Sequence, residues 1–326
     1  MHKRNFWQDL PLPFFILAPM EDVTDIVFRS VVNRAAHPDV FMTEFTNAAS
    51  FCSPQGGFST RGRLTFLPEE QPIVAQIWGK NSEHFRKMAQ ELSERGFAGI
   101  DINMGCPDKA VVRSGGGSAL IENPELAVEL IKATQQSNLP ISVKTRLGVR
   151  SLDEWRPWLT VLLKQELANL TVHLRTRKEM SKVSAHYELI PEIVKLRGEI
   201  APATKLTING DIRDRAHGLQ LVQENPGVNG IMIGRGIFTN PFAFEMTPRE
   251  HDKNELIELL KFHLDQYDRY RIISPSLPNE DRRNQRNFDS LKHFFKIYIR
   301  DFDGAKELRD QMMHAKTTDE IREIIG

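Results

Sequence analysis

Residues 99–146 read GIDINMGCPDKAVVRSGGGSALIENPELAVELIKATQQSNLPISVKTR, and this stretch decides the fold. A short run at 99–104 with alternating β-branched residues leads into a turn, a helix start at Asn123-Pro124 and a second such run at 141–146. Asn caps the free N–H groups of a helix and Pro fits its first position, so a helix is predicted between two strands. Strand, helix, strand is the unit of a mostly parallel sheet.

The same alternation continues on both sides. Strands are predicted at 14–20, 40–45, 73–78, 99–104, 141–146, 170–175, 206–209 and 231–234, with a further helix start at Asn81 or Ser82 before Glu83. Eight such units match a (β/α)8 TIM barrel, an α/β fold. Residues 46–71, rich in Gly, Ser and Pro, form a long loop of the kind that is functional or mobile. After Asn240-Pro241 the alternation stops. Helical spacing then runs over 255–270, 287–302 and 318–325, the last opened by Thr317-Thr318-Asp319-Glu320 in the pattern of a capping box. The expected organisation is a TIM-barrel catalytic domain at 1–246 and a small all-helical C-terminal domain at 247–326.

The 326 residues hold 43 Lys+Arg and 43 Asp+Glu, a formal net charge of zero, which excludes a protein basic all over. Partition sharpens this. Residues 269–300 carry eight basic groups (Arg269, Arg271, Arg282, Arg283, Arg286, Lys292, Lys296, Arg300) against three acidic ones (Glu280, Asp281, Asp289). Such a stripe can bind phosphates although the total is neutral, because distant charges are screened beyond about 8 Å at physiological salt. The stripe is expected to face the same side as the barrel mouth. No apolar run approaches the ~20 residues of a spanning helix, so no membrane contact is expected. Asp9, Pro11 and Pro13 interrupt the region where a signal peptide would be apolar. Cys52 and Cys106 form no CxxC and there is no HExxH, which favours a reducing cytoplasm and no metal. No obligate protein partner is evident.

Chemistry in a parallel barrel sits at the carboxyl ends of its strands. Those ends carry Pro19-Met20-Glu21-Asp22, Glu44, Gln76, Asn103-Met104-Gly105-Cys106-Pro107, Lys144-Thr145-Arg146, His173-Leu174-Arg175, Asn209-Gly210-Asp211 and Gly234-Arg235-Gly236. The glycines of the last two loops either make tight turns or let backbone N–H groups approach a phosphate beside Arg235; their occurrence in adjacent loops favours the phosphate. Cys106 is either a small buried hydrophobe or a nucleophile or proton donor, and its place at the mouth beside Asn103, across from Lys144 and His173, favours chemistry. Cys52 is expected to be structural. Lys144 and His173, on otherwise apolar strands, either pair inside the barrel or make the mouth cationic toward an anionic ligand.

These segments resemble the dihydrouridine synthases. The matching motifs are Ala18-Pro19-Met20-Glu21-Asp22-Val23-Thr24-Asp25, Asp101-Ile102-Asn103-Met104-Gly105-Cys106-Pro107 with Ser114-Gly115-Gly116-Gly117-Ser118-Ala119-Leu120, Val143 to Gly148, Val172 to Arg177, Asn209-Gly210-Asp211-Ile212 and Ile233 to Gly236, spread over almost the whole chain. The resemblance implies reduction of the uracil C5–C6 double bond in tRNA by FMN, with NADPH (or NADH) as reductant. Hydride would pass from flavin N5 to C6 while Cys106 protonates C5. It further implies FMN contacts from Pro19, Met20, Glu21, Gln76, Asn103, Lys144, His173, Asn209, Gly210, Asp211, Gly234 and Arg235. Gln76 would meet the flavin edge and Lys144 the reduced ring. Lys109, Arg113, Arg175, Arg282, Arg283 and Arg286, with Arg61 and Arg63 in the long loop, are candidate RNA contacts. Two positions depart from the family pattern: Asp22 stands where many members have Gly, and Leu174, expected to narrow the pocket, replaces a small residue. The alternatives are a small-molecule flavoprotein resembling dihydroorotate dehydrogenases, an enzyme acting on ribosomal RNA, and an RNA-binding module on an inactive barrel.

Overall fold

A computed structural model describes residues 5–54, 60, 62–273 and 285–326. All strand pairs are parallel: β1 (Phe14–Leu17), β2 (Phe41–Met42), β3 (Thr46–Asn47), β4 (Ile73–Trp78), β5 (Gly99–Met104), β6 (Ile141–Arg146), β7 (Asn169–His173), β8 (Lys205–Asn209) and β9 (Gly230–Ile233). They are bonded in the order β1-β9-β8-β7-β6-β5-β4-β2. A bridge between Ile16 and Val40 draws the two edges of the sheet together into a barrel. The second predicted strand, 40–45, is shortened to β2, and β3 lies beyond it at the start of the segment expected to be a loop. Between them the Thr43 hydroxyl, rather than a backbone carbonyl, accepts the N–H of Gln76 at 3.1 Å, which interrupts the ladder.

Among the described residues these helices accompany the barrel: α1 (Ile26–Ala35), α2 (Ala48–Cys52), α3 (Ser82–Glu94), α4 (Lys109–Arg113), α5 (Pro124–Gln135), α6 (Trp155–Leu163), α7 (Ile190–Ile200) and α8 (Arg215–Glu224). Their starts follow the sequence. Asn81, not Ser82, caps α3 by accepting from His84 N, and Asn123 caps α5 by accepting from Leu126 N.

Alternation along each strand separates two cores. Phe14, Ile16, Ala18, Val40, Met42, Val74 and Met232 join Trp7 in one buried cluster, while Phe15, Leu17, Ile231 and Ile233 pack in the shell beneath the helices. The register carries polar rows on the inner face: Gln76 beside Asp101 and Asp101 beside Ser142, then Asn103 beside Lys144, then Arg146 beside His173 and His173 beside Asn209. The interior is thus apolar on one side and polar on the side that leads to the mouth.

Beyond the barrel come α9 (Lys253–Arg269), α10 (Phe288–Lys292), α11 (Phe295–Tyr298), α12 (Ala305–His314) and α13 (Thr318–Ile325). The helix predicted over 287–302 is broken, because Phe294, Phe295, Ile297, Tyr298 and Ile299 are all buried and such a run cannot fit one helical stripe. The helix α12 was not anticipated: only Ala305 and Met312 of it are buried, too few apolar anchors to mark a period. The capping pattern before α13 is half formed, with Thr317 accepting from Glu320 N while Glu320 accepts from Lys316 N. These helices lean on α1, whose Phe28 ring lies 4.5 Å from Phe294 and 5.8 Å from His263. Among the described residues no helix is long and apolar enough to cross a membrane, and no His, Cys, Asp or Glu group is placed to hold a metal.

Candidate active site

Two cavities meet at Met20 at the carboxyl ends of the strands. One, of about 360 Å³, is lined by Pro19, Met20, Lys144, His173, Asn209, Gly210, Asp211, Gly234 and Arg235. The other, of about 570 Å³, is lined by Met20, Glu21, Phe45, Arg63, Trp78 and Cys106 among others. A larger space of about 830 Å³ lies at the opposite end of the barrel, around Asn5, Pro140 and Thr204, and holds none of the mouth residues.

The first cavity is built for an anion. Gly210 has φ +128°, and at Gly236 a Cβ would stand 2.1 Å from the Arg213 carbonyl oxygen, so only glycine lets the two chain segments approach there. Lys144 Nζ donates to Asn209 Oδ1 at 3.2 Å, and Asn209 is itself fixed by donating to the Met232 carbonyl at 2.9 Å. Burial, with Arg146 adding to it, brings the Lys144 ammonium down to about 8 against the pull of Asp101. His173 lies well below its ordinary value for the same reason: burial first, then Arg146, Lys144, Arg175 and Arg235. Its imidazole is therefore neutral, and its buried Nδ1 has no hydrogen-bond partner among the described residues. Arg235 is exposed and donates to Asp211 Oδ1 at 3.1 Å.

Cys106 sits in the second cavity beside an edge-on pair, Phe45 and Trp78, whose rings are 6.4 Å apart. Its N–H donates to Asn103 Oδ1 at 2.9 Å, and its carbonyl accepts from the N–H and hydroxyl of Ser118 at 3.0 and 2.9 Å. The glycine-rich stretch thus folds back onto the cysteine. Burial raises the thiol above its ordinary range, so it keeps its proton at neutral pH. Cys52 lies on α2, its thiol 3.7 Å from the His84 carbonyl. Lys109 and Arg113, on the short helix that follows Cys106, are exposed.

Other expected contacts are buried or engaged within the protein. Gln76 and Asn103 lie below the cavities, fully and almost fully buried. Glu21 is gripped by both guanidinium nitrogens of Arg63, at 2.5 and 2.6 Å. Arg175 does not face a substrate: it is 1% exposed, ion-paired with Asp211 and donating to the Val183 carbonyl at 2.7 Å. Arg286 joins the C-terminal helices to the barrel, pairing with Asp25 and donating to the Tyr270 carbonyl at 2.8 Å. Arg61, Arg282 and Arg283 lie outside the described residues. Leu174 does not narrow the pocket, for it is buried in the shell beneath the helices. Asp22 has φ +57°, a backbone conformation that glycine adopts without steric cost.

Three residues went unassigned. Arg146 clamps the cysteine loop by donating to the Gly105 carbonyl at 2.8 Å and to the Thr176 and Met180 carbonyls. Asp101 and Ser142 lie in the inner polar row. Asp101 precedes Asn103 by two and so shares its face, a signal that strand periodicity alone supplies.

A family model described as Dihydrouridine synthase (Dus) matches residues 16–325. The chain is 59% identical over 321 residues, 98% of its length and 95% of the relative's, to the "Probable tRNA-dihydrouridine synthase 2" of Bacillus subtilis (strain 168). It is 57% identical over 323 residues, 99% of its length and 96% of the relative's, to the "Probable tRNA-dihydrouridine synthase" of Staphylococcus epidermidis (strain ATCC 12228 / FDA PCI 1200). Among solved structures, a 2-naphthoyl-CoA reductase complex matches 72% of this chain and 50% of its own with a TM-score of 0.53 at 8% identity, a likeness of fold alone.

Proposed function

The chain belongs to the dihydrouridine synthase family, a family of oxidoreductases, and from that premise we propose that it reduces the C5–C6 double bond of uridines in tRNA. FMN is the proposed cofactor, NADPH or NADH the reductant and the cytoplasm the compartment. The barrel, 1–246, is proposed to be the catalytic part and residues 247–326 the part that helps hold RNA. The observation that carries this is the meeting of a cationic, glycine-edged cavity with a cysteine-bearing one at Met20.

The donor set suits FMN. Backbone N–H groups at Gly210, Gly234 and Gly236 with Arg235 would hold its phosphate, and the unpartnered Nδ1 of neutral His173 is free for a polar atom. When bound, FMN supplies the hydride that adds to uracil C6. Cys106, protonated because it is buried, delivers the proton to C5. Lys144 keeps a positive charge in the cavity where negative charge accumulates on reduction. The base must leave its stack to enter, at a cost of a few kcal/mol, and the apolar walls Phe45 and Trp78 favour its entry.

The test is incubation with FMN, NADPH and unmodified tRNA followed by nucleoside mass spectrometry. Dihydrouridine is expected from the parent protein. Cys106→Ala is expected to lose about two orders of magnitude in rate, as removal of a general acid does, while retaining flavin. A protein that takes up no flavin, or makes no dihydrouridine, overturns the proposal.

A further inference from the structure

A hydrogen-bonded chain runs beneath the mouth. Ser142 Oγ donates to Asp101 Oδ1 at 2.6 Å and Gln76 Nε2 donates to Asp101 Oδ2 at 2.7 Å. Asn103 Nδ2 donates to Gln76 Oε1 at 3.0 Å. The N–H groups of Gly105 and Cys106 then donate to Asn103 Oδ1 at 3.1 and 2.9 Å. Asp101 and Gln76 are 0% exposed and Asn103 6%, so water does not compete.

Polarity is fixed from one end. A carboxylate only accepts, so Gln76 must turn its NH2 toward Asp101 and its carbonyl toward Asn103. Asn103 must then offer its NH2 to Gln76, which leaves its carbonyl for the cysteine loop. Reversal of Gln76 would set its carbonyl against the Asp101 carboxylate, and reversal of Asn103 would set an NH2 against two backbone N–H donors, each a loss of buried partners. Burial raises Asp101 to about 6, so at neutral pH it remains the acceptor-only end.

We propose that Asp101 is a positioning residue that orients Gln76 and Asn103 and, through them, holds the backbone of Cys106 so that its thiol faces the cavity. The role assigned to Cys106 rests on the proposed function, but the effect on its thiol does not. Asp101→Leu removes the acceptor at similar volume. Asp101→Asn keeps the chain, because its carbonyl can serve Gln76 while the Ser142 hydroxyl turns to accept from its NH2.

Both variants are made with Cys52→Ala, so that one thiol remains, and the full-length protein without ligand is treated with iodoacetamide. Asp101→Leu is expected to change the alkylation rate of Cys106 by at least about threefold, since thiol reactivity follows access and surroundings, and Asp101→Asn to stay within about twofold of the parent. Gln76→Met breaks the next link without touching the charge and is expected to reproduce the change, which decides the matter if Asp101→Leu fails to fold. With FMN bound, Gln76→Met, which leaves the Asp101 charge near Lys144 in place, is expected to slow transfer to tRNA by about tenfold and to slow reduction by NADPH much less. Alkylation rates equal to the parent's in Asp101→Leu and Gln76→Met overturn the proposal, as does an equal slowing of both half-reactions. A parent protein that takes up no flavin refutes the proposed function instead, and the alkylation rates still decide the positioning role.

Discussion

Lys144 is poised at the edge of ionisation. Its ammonium lies near 8 because burial and the Arg146 charge oppose protonation more than Asp101 favours it. A depressed value in the folded state means that the charged form is held at a cost that is full below about 8 and is relieved as pH rises from there toward the ordinary lysine value. The charge that reduction of a bound ring needs is therefore present at neutral pH and lost through about 8. Turnover on tRNA is expected to fall as pH rises through about 8. The same profile in Lys144→Arg is expected to lose that limb, since a guanidinium stays protonated there; an unchanged limb would assign it to another group. Single residues also set the limits of what the sequence discloses. Asp22 looked like an anomaly among glycines and is explained by a φ of +57°, a property of the backbone that no residue type announces. Leu174 looked like a pocket residue because it lies between His173 and Arg175, yet it stands just past β7 with its side chain buried in the shell.

At the scale of elements, strands and their caps were legible because hydrophobic period and capping chemistry are local. The mouth loops were legible too, being marked by glycines that close approaches require. The junction of the barrel with its C-terminal helices was not, because it is made by residues more than two hundred positions apart. Arg286 reads as one more cation of a basic stripe, but its guanidinium reaches Asp25, the residue that also caps α1 by accepting from Phe28 N at 3.0 Å. The pair is mostly buried, with side chains 15% and 23% exposed. Beside it Phe28, His263 and Phe294 pack together, and burial holds His263 neutral, down to about 4, against Tyr298. Arg286→Ala is expected to lower unfolding stability by about 1–3 kcal/mol, as loss of one partner of a buried, hydrogen-bonded charge pair does. Denaturant unfolding checks this. Unaltered stability together with a shallower salt dependence of tRNA binding would return Arg286 to the role that its sequence neighbours suggested.

Over the whole molecule the charges sum to zero, and any grip on RNA must come from where the cations stand. Within the stripe at 269–300, Lys292 and Arg300 are paired with Asp289 and Asp301, and Arg286 is committed to the junction. Arg269, Arg271 and Lys296 remain exposed. Arg286 ties the stripe to the barrel near the mouth, since Asp25 lies just past the loop of Glu21 and Asp22 at the end of β1. Lys109 and Arg113 have a stronger claim, being exposed on the short helix that directly follows Cys106. A phosphate beside a base extruded toward that cysteine, as proposed, would come within reach of this helix. Each cation that meets a phosphate releases counterions and adds about 0.7–0.9 to the slope of log affinity against log salt. Lys109→Gln with Arg113→Gln is therefore expected to weaken tRNA binding and reduce that slope by about 1–2. Flavin content should stay the same, because neither residue lines the cavity of Lys144 and Arg235. Binding titrations at several salt concentrations measure the slope directly. A slope equal to the parent's would move the grip on RNA from the mouth to the exposed cations of the C-terminal helices.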